Sequence, residues 1–163
     1  MNQGCRLCEY LTMPNRFSRA TLSIYSDTHP ASEVTAILGL TPTTTWEKDD
    51  TRFGLSGREY PAHTQSGWSY DPDDSQQDPA DDSGFASLRL LVADLRDKRD
   101  AIASLRPRYQ TVIRWSGDSG STQGNFVVTA DLIVDLGLLG CEFWGTLYGD
   151  MEAEAGDSAL GRA

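Results

Sequence analysis

"FSRATLSIYSDTHPASEVTAILGL", residues 17–40, changes its hydrophobic period halfway along. From 17 to 26 the residues alternate, with Ala20, Leu22 and Ile24 on one side and Arg19, Thr21, Ser23 and Tyr25 on the other. A period of two describes a half-buried strand. Beyond it, Pro30 stands at a helix start and Glu33 falls in the first turn. Val34, Ile37 and Leu38 keep i, i+3, i+4 spacing, and Gly39 is the stop, so a two-turn helix follows. Each element carries one apolar side, and the simplest way to bury both is a sheet with helices packed on its apolar face.

Working outward, "TPTTTWEKDD" is β-branched and aromatic, which predicts a strand around 43–48, and "SGWSYD" predicts another. "TRFGLSGREYPAHTQ" between them reads as an irregular connection. After an aspartate-rich stretch, Leu88, Leu91, Val92, Leu95, Ile102 and Leu105 mark one face of a single long helix running from Phe85 to Pro107, with Asp82 or Ser83 as its N-cap. "QTVIRWS" and "NFVVTA" read as two arms of a hairpin around a glycine-rich tip. Thr129 or Asp131 then caps a short helix closed by Gly137. In the last strand, "LGCEFWGTLYG", Cys141, Phe143 and Leu147 alternate with Glu142, Trp144, Thr146 and Tyr148. The order predicts an α+β two-layer sandwich, a mostly antiparallel sheet with helices on one face and ferredoxin-like character. A single domain is expected over 13–149. Residues 1–12 form a tail that precedes Met13, an alternative start, and residues 150–163 form an acidic disordered tail.

At 163 residues the chain is long enough for a packed core without disulfides or metal. A net charge of −10 opposes association with phosphate backbones and anionic lipid, and favours a basic protein as partner. No apolar run is long enough to span a bilayer, and three cysteines are too few for a disulfide framework, so the cytoplasm is the expected compartment.

The assembled pieces are "ATLSIYSDTHPASEVTAILGLTPTTTWEKDD", a Gly67-Trp68 strand, a long helix and "SGSTQGNFVVTADLIVDLGLLGCEFWGTLY". In that order they resemble a bacterial family of domains of unknown function, number 4279. The matching positions in its helix-Leu-Gly-Leu-x-Pro-Thr turn and following Trp are Leu38, Gly39, Leu40, Pro42, Thr43 and Trp46. The resemblance covers roughly residues 17 to 148. It implies a small cytosolic α+β domain and carries over no catalytic residue. Immunity or antitoxin-like partners of similar build supply an analogy at the level of fold alone.

Three motifs invite chemistry. "GDSG", residues 117–120, matches the surroundings of the nucleophile in trypsin-like proteases. Its general base would have to be His29 or His63, and some twenty residues of predicted helix separate His63 from Ser119, against the paired β-barrels of that class. A glycine-rich hairpin tip is the preferred reading. Cys5-x-x-Cys8 lacks the second pair of a structural zinc site. "DPDDSQQDPADD" places Gln76 where a calcium loop needs glycine and Asp82 where it needs a bidentate glutamate. No catalytic residue, metal or cofactor is assigned.

What remains is aromatic. If Ala20, Leu22, Ile24, Phe143 and Leu147 face the helices, then Tyr25, Arg114, Glu142 and Trp144 lie on the opposite sheet face, with Trp46 and Trp68 nearby. A face left uncovered by helices would be an amphipathic binding patch, unless strand curvature, the 51–66 segment or a homodimer covers it. The expected function is a non-enzymatic protein-interaction module. The alternative is a small-molecule-binding protein or hydrolase on the same face, with Arg114 and Glu142 orienting a polar ligand and His63 as base.

Overall fold

The computed structural model describes residues 18–76, 83–119 and 126–149. The opening stretch folds as its two periods require. Strand β1 covers Ser18–Ser26 and helix α1 covers Ala31–Leu38, closed by Gly39 in the left-handed conformation at φ 64°. The N-terminus of α1 is satisfied from a distance, because the Glu47 carboxylate accepts the backbone N–H of Ala31 at 3.0 Å and of Ser32 at 3.4 Å.

Strand β2 (Thr44–Trp46) is followed by two two-residue strands, β3 (Arg52–Phe53) and β4 (Glu59–Tyr60), which pair only with each other. The segment expected to be irregular is therefore a small hairpin arm. It is tied to the body where the Asp49 and His63 amides donate to the carbonyls of His63 and Asp50. Strand β5 (Ser66–Tyr70) returns to the main sheet.

The single long helix is broken. Helix α2 (Ala86–Leu95) gives way to a 3₁₀ turn at Arg96–Lys98 before helix α3 (Arg99–Leu105). In a straight helix the row from Leu95 to Ile102 passes through positions 98 and 99, which are Lys and Arg. The tighter turn lets Leu95, Ile102 and Leu105 all stay buried while Arg99 and Arg96 reach Asp135, at 3.4 and 3.7 Å. Ser83 Oγ accepts the Phe85 N–H just ahead of α2. Asp82, the other expected cap, lies outside the described residues, as do both expected tails with Met13, Cys5 and Cys8.

Strand β6 (Gln110–Ser119) is followed by helix α4 (Ala130–Leu139) and strand β7 (Glu142–Gly149). Two expectations are corrected here. Residues 126–129 form no strand, so there is no hairpin on β6 across that segment; α4 instead returns the chain so that β7 runs parallel to β6. Helix α4 also passes through Gly137 and ends at Gly140, whose φ of 63° makes it the left-handed stop.

The result is an α+β sandwich. Its five-stranded sheet has the order β2-β5-β1-β6-β7, antiparallel except for the last pair. The helices cover one face. Leu22, Ile24, Trp68, Ile113 and Trp115 meet Val34, Leu38, Leu88, Leu91, Leu95, Ile102 and Leu105 in one buried cluster.

Candidate functional site

Alternation on the three central strands sends one set of side chains into that core and the other to the face without helices. The register aligns the outward set into rungs. Tyr25 pairs with Gln110 and with Gly67, which in turn pairs with Trp46. Thr21 pairs with Arg114, and Arg114 with Trp144. Arg19 pairs with Ser116, Ser116 with Thr146, and Asp118 with Tyr148.

Arg114 occupies the centre. Its guanidinium carbon lies 5.3 Å from the Tyr25 ring centroid and 5.2 Å from that of Trp144. Among the described residues it has no hydrogen-bond or ion-pair partner. Two aromatic faces thus stabilise the cation while its N–H donors remain unused. Its neighbour Arg19 is paired, since Asp71 accepts from Arg19 and also from Thr21 Oγ1 at 2.6 Å.

One side of Arg114 opens into a cavity of about 820 Å³ beneath the β3–β4 arm, lined by Tyr25, Trp46, Arg52, Phe53 and His63 among others. Trp46 is fixed there by three contacts. Its ring stacks on His63 at 4.9 Å, tilts against Tyr25 at 6.2 Å, and donates from Nε1 to the Gln65 carbonyl at 3.0 Å. The other side opens into a second hollow of about 320 Å³, bounded by Arg19, Thr21, Ser116, Trp144, Thr146 and Tyr148. Arg114 lines both, so the two hollows adjoin at its side chain and together make up the groove on this face of the sheet. Three arginines line it; Arg19 is paired with Asp71, which leaves Arg52 and Arg114 against the one lining carboxylate, Asp50, a positive excess in a chain whose overall balance is negative.

Of the six residues expected at this face, Tyr25, Trp46, Arg114 and Trp144 are brought together. Glu142 is at its margin, accepting from Gln110 Nε2 at 3.2 Å and taking no part in the groove lining. Trp68 is not on this face. It is fully buried under the helices, with Nε1 donating to Thr35 Oγ1 at 2.9 Å, because it is one residue out of phase with Gly67 on β5. Trp115 is likewise core, stacked on Phe85 at 4.6 Å. The 51–66 segment covers only the Tyr25 end, leaving Trp144 at 52% and Tyr148 at 59% exposure. Sequence reasoning missed Arg52 and Phe53, whose arm has no periodic signal. Thr21 and Arg19 were legible as the outward residues of β1.

The other motifs acquire places too. Gly117, Asp118 and Ser119 of "GDSG" are the end of β6, where a hairpin tip was expected; Gly120 is outside the described residues. His63 stacks on Trp46, which shares a rung with Tyr25, and Tyr25 pairs with Gln110. His29 lies 5.5 Å from Tyr109, next to Gln110. Both histidines therefore sit where β6 begins, and Ser119 ends this ten-residue strand, roughly 30 Å away at about 3.3 Å per residue. A strand's length separates both histidines from that position. In the aspartate-rich stretch Asp73 accepts from Ser75 and Gln76, which holds its carboxyl below the usual range, and Asp71 is engaged as described; residues 77–82 lie outside the described set. Cys141 turns toward the core, and burial pushes its thiol pKa up. Among the described residues no helix is long and apolar enough to cross a membrane.

A family model, domain of unknown function DUF4279, matches residues 15–150. Comparison with curated proteins and with solved structures returns no match.

Proposed function

The chain belongs to the DUF4279 family of domains of unknown function, and from that premise we propose that it is a non-enzymatic interaction module of the bacterial cytoplasm that binds a partner protein through the open face of its sheet. The observation that carries this reading is the groove centred on Arg114. An aromatic-lined sheet face without helices, centred on a cation that has no ion-pair partner among the described residues, has the makeup of an interface centre, where Trp, Tyr and Arg contribute most of the binding free energy. The two hollows lie side by side from the arm to Tyr148 and neither is enclosed, which suits an extended contact better than an enclosed ligand. The acidic total first suggested a basic partner; the groove itself is cationic, so the group placed there by the partner is anionic.

A photo-crosslinking residue at position 144, with a control at exposed Ser104 on α3, tests this inside the native cell. A discrete crosslinked protein at 144 and none at 104 is expected. Identical patterns at both sites would remove the support for this face. The cavity of about 820 Å³ beneath the arm sustains a second reading, a small-molecule-binding protein or hydrolase, since its size falls in the range of roughly 300–1,000 Å³ typical of ligand sites. Stabilisation by metabolites in a thermal-shift screen, lost in Trp46→Ala, would favour that one.

A further inference from the structure

We infer that the groove selects an acidic peptide segment and that Arg114 is the residue that binds its carboxylate, an inference that rests on the open face being the binding surface. Tyr25 and Trp144 flank the guanidinium at 5.3 and 5.2 Å and leave it without a protein acceptor among the described residues. A guanidinium carries five N–H donors and no acceptor, and a planar carboxylate can accept two of them side by side. Arg114 is exposed, so an acceptor from a partner can reach those donors between the two rings.

Charge argues for a peptide over a polyanion. Arg19 is already neutralised by Asp71, which leaves Arg114 and, on the arm, Arg52 as the groove's cations without ion-pair partners among the described residues. A nucleic acid brings one phosphate per nucleotide against a chain of net charge −10, so repulsion accumulates with every added residue of ligand. A peptide with one carboxylate between apolar residues satisfies Arg114 and offers the rest of its surface to Trp46, Trp144 and Tyr148. The hydroxyls of Ser116 and Thr146 line the floor beside the cation, where they can bond a peptide backbone.

Peptide display on the full chain decides the matter, with wild type, Trp144→Ala, Arg114→Gln and Arg114→Glu as baits whose folding is first checked by melting. Wild type is expected to enrich peptides with Asp or Glu at one fixed position beside an apolar residue. A synthetic peptide of that sequence should bind Arg114→Gln roughly tenfold more weakly. Arg114→Glu should shift the preferred residue at that position to Lys or Arg, which a merely structural role for Arg114 would not produce. Peptides that lose binding to Trp144→Ala yet show no fixed acidic position overturn the carboxylate assignment and leave the open face standing as the binding surface. Peptides indifferent to Trp144→Ala, or no enrichment at all, overturn both. Tighter binding of oligo-dT than of any selected peptide overturns the choice of ligand.

Discussion

The indole of Trp46 occupies the space above Gly67, its cross-strand partner, so closely that a Cβ on Gly67 would lie 2.1 Å from Cζ2 of the ring. The glycine is what permits Trp46 to lie flat against the sheet and form one wall of the groove. Gly67→Ala must therefore push the ring off its stack on His63 and break its bond to Gln65. A cost of roughly 1–3 kcal/mol is expected from this overpacking, read as a lower urea midpoint. Near-ultraviolet dichroism should change at the same time. An alanine variant with wild-type stability and spectrum would show that Trp46 does not depend on that space.

Trp115 and Trp144 are on neighbouring strands and have opposite fates. Trp115 is buried at 1% exposure, stacked on Phe85, with Nε1 donating to the Gly84 carbonyl at 3.0 Å; Trp144 is 52% exposed. Trp115→Ala should cost roughly 3–5 kcal/mol from the cavity it leaves. Trp144→Ala should stay within about 0.5 kcal/mol of wild type, as an exposed residue does when no buried contact is lost. Equilibrium denaturation of the two variants side by side checks both figures, and comparable losses would contradict this division of the faces.

What could be read from the sequence followed from how far each signal reached along the chain. Alternation in β1 and β7 separated Ala20, Leu22, Ile24 and Leu147 from Tyr25 and Trp144, so the two faces of the sheet were legible, although Phe143, expected with the first group, is exposed on the edge strand β7 and lies outside the core. On β5 the stretch "SGWSYD" was too short to fix a phase, and Trp68 was placed on the wrong side. The pairing of β6 was missed because "NFVVTA" has strand-like composition, while the actual partner of β6 is β7, across α4. Composition does not encode which edges meet. The break at Arg96–Lys98 brings Arg96 and Arg99 to Asp135 of α4, a partner distant in sequence. The groove was half-legible for the same reason: its sheet residues alternate, and its arm does not.

Glu47 closes the N-terminus of α1 from across the fold, replacing a local cap; the Pro30 position supplies no side-chain bond. Glu47→Ala leaves two helix amides without their acceptor and removes a negative charge from the positive end of the helix. A loss of roughly 0.5–2 kcal/mol is expected. Amide exchange should rise at Ala31 and Ser32 ahead of the core strands, and unchanged protection there would mean that water caps the helix equally well.

Tyr109 gives the fold a defined response to alkali. Burial, followed by the charge of Glu33 and the hydrogen bond to it, raises the phenol from its ordinary 10.0 to about 12; its one proton is shared between Glu33 Oε2 at 3.2 Å and the Pro30 carbonyl at 3.0 Å. The neutral phenol is the form the folded state prefers. Between those two values the unfolded chain has lost this proton and the folded chain keeps it, so stability falls as pH rises. The contribution is complete below about pH 10 and is lost through about 12, with a slope of at most about 1.4 kcal/mol per pH unit. Tyr70, raised to about 12 by burial and by its bond to Asp94, adds a second fall of the same sign, so wild type alone cannot apportion the effect. The difference between wild type and Tyr109→Phe isolates it. Urea melts of both across pH 8 to 12 should show a constant wild-type advantage up to about pH 10 that shrinks above it. An advantage that stays flat through that window would mean that the Tyr109 phenol is no harder to ionise in the folded protein than in the unfolded chain.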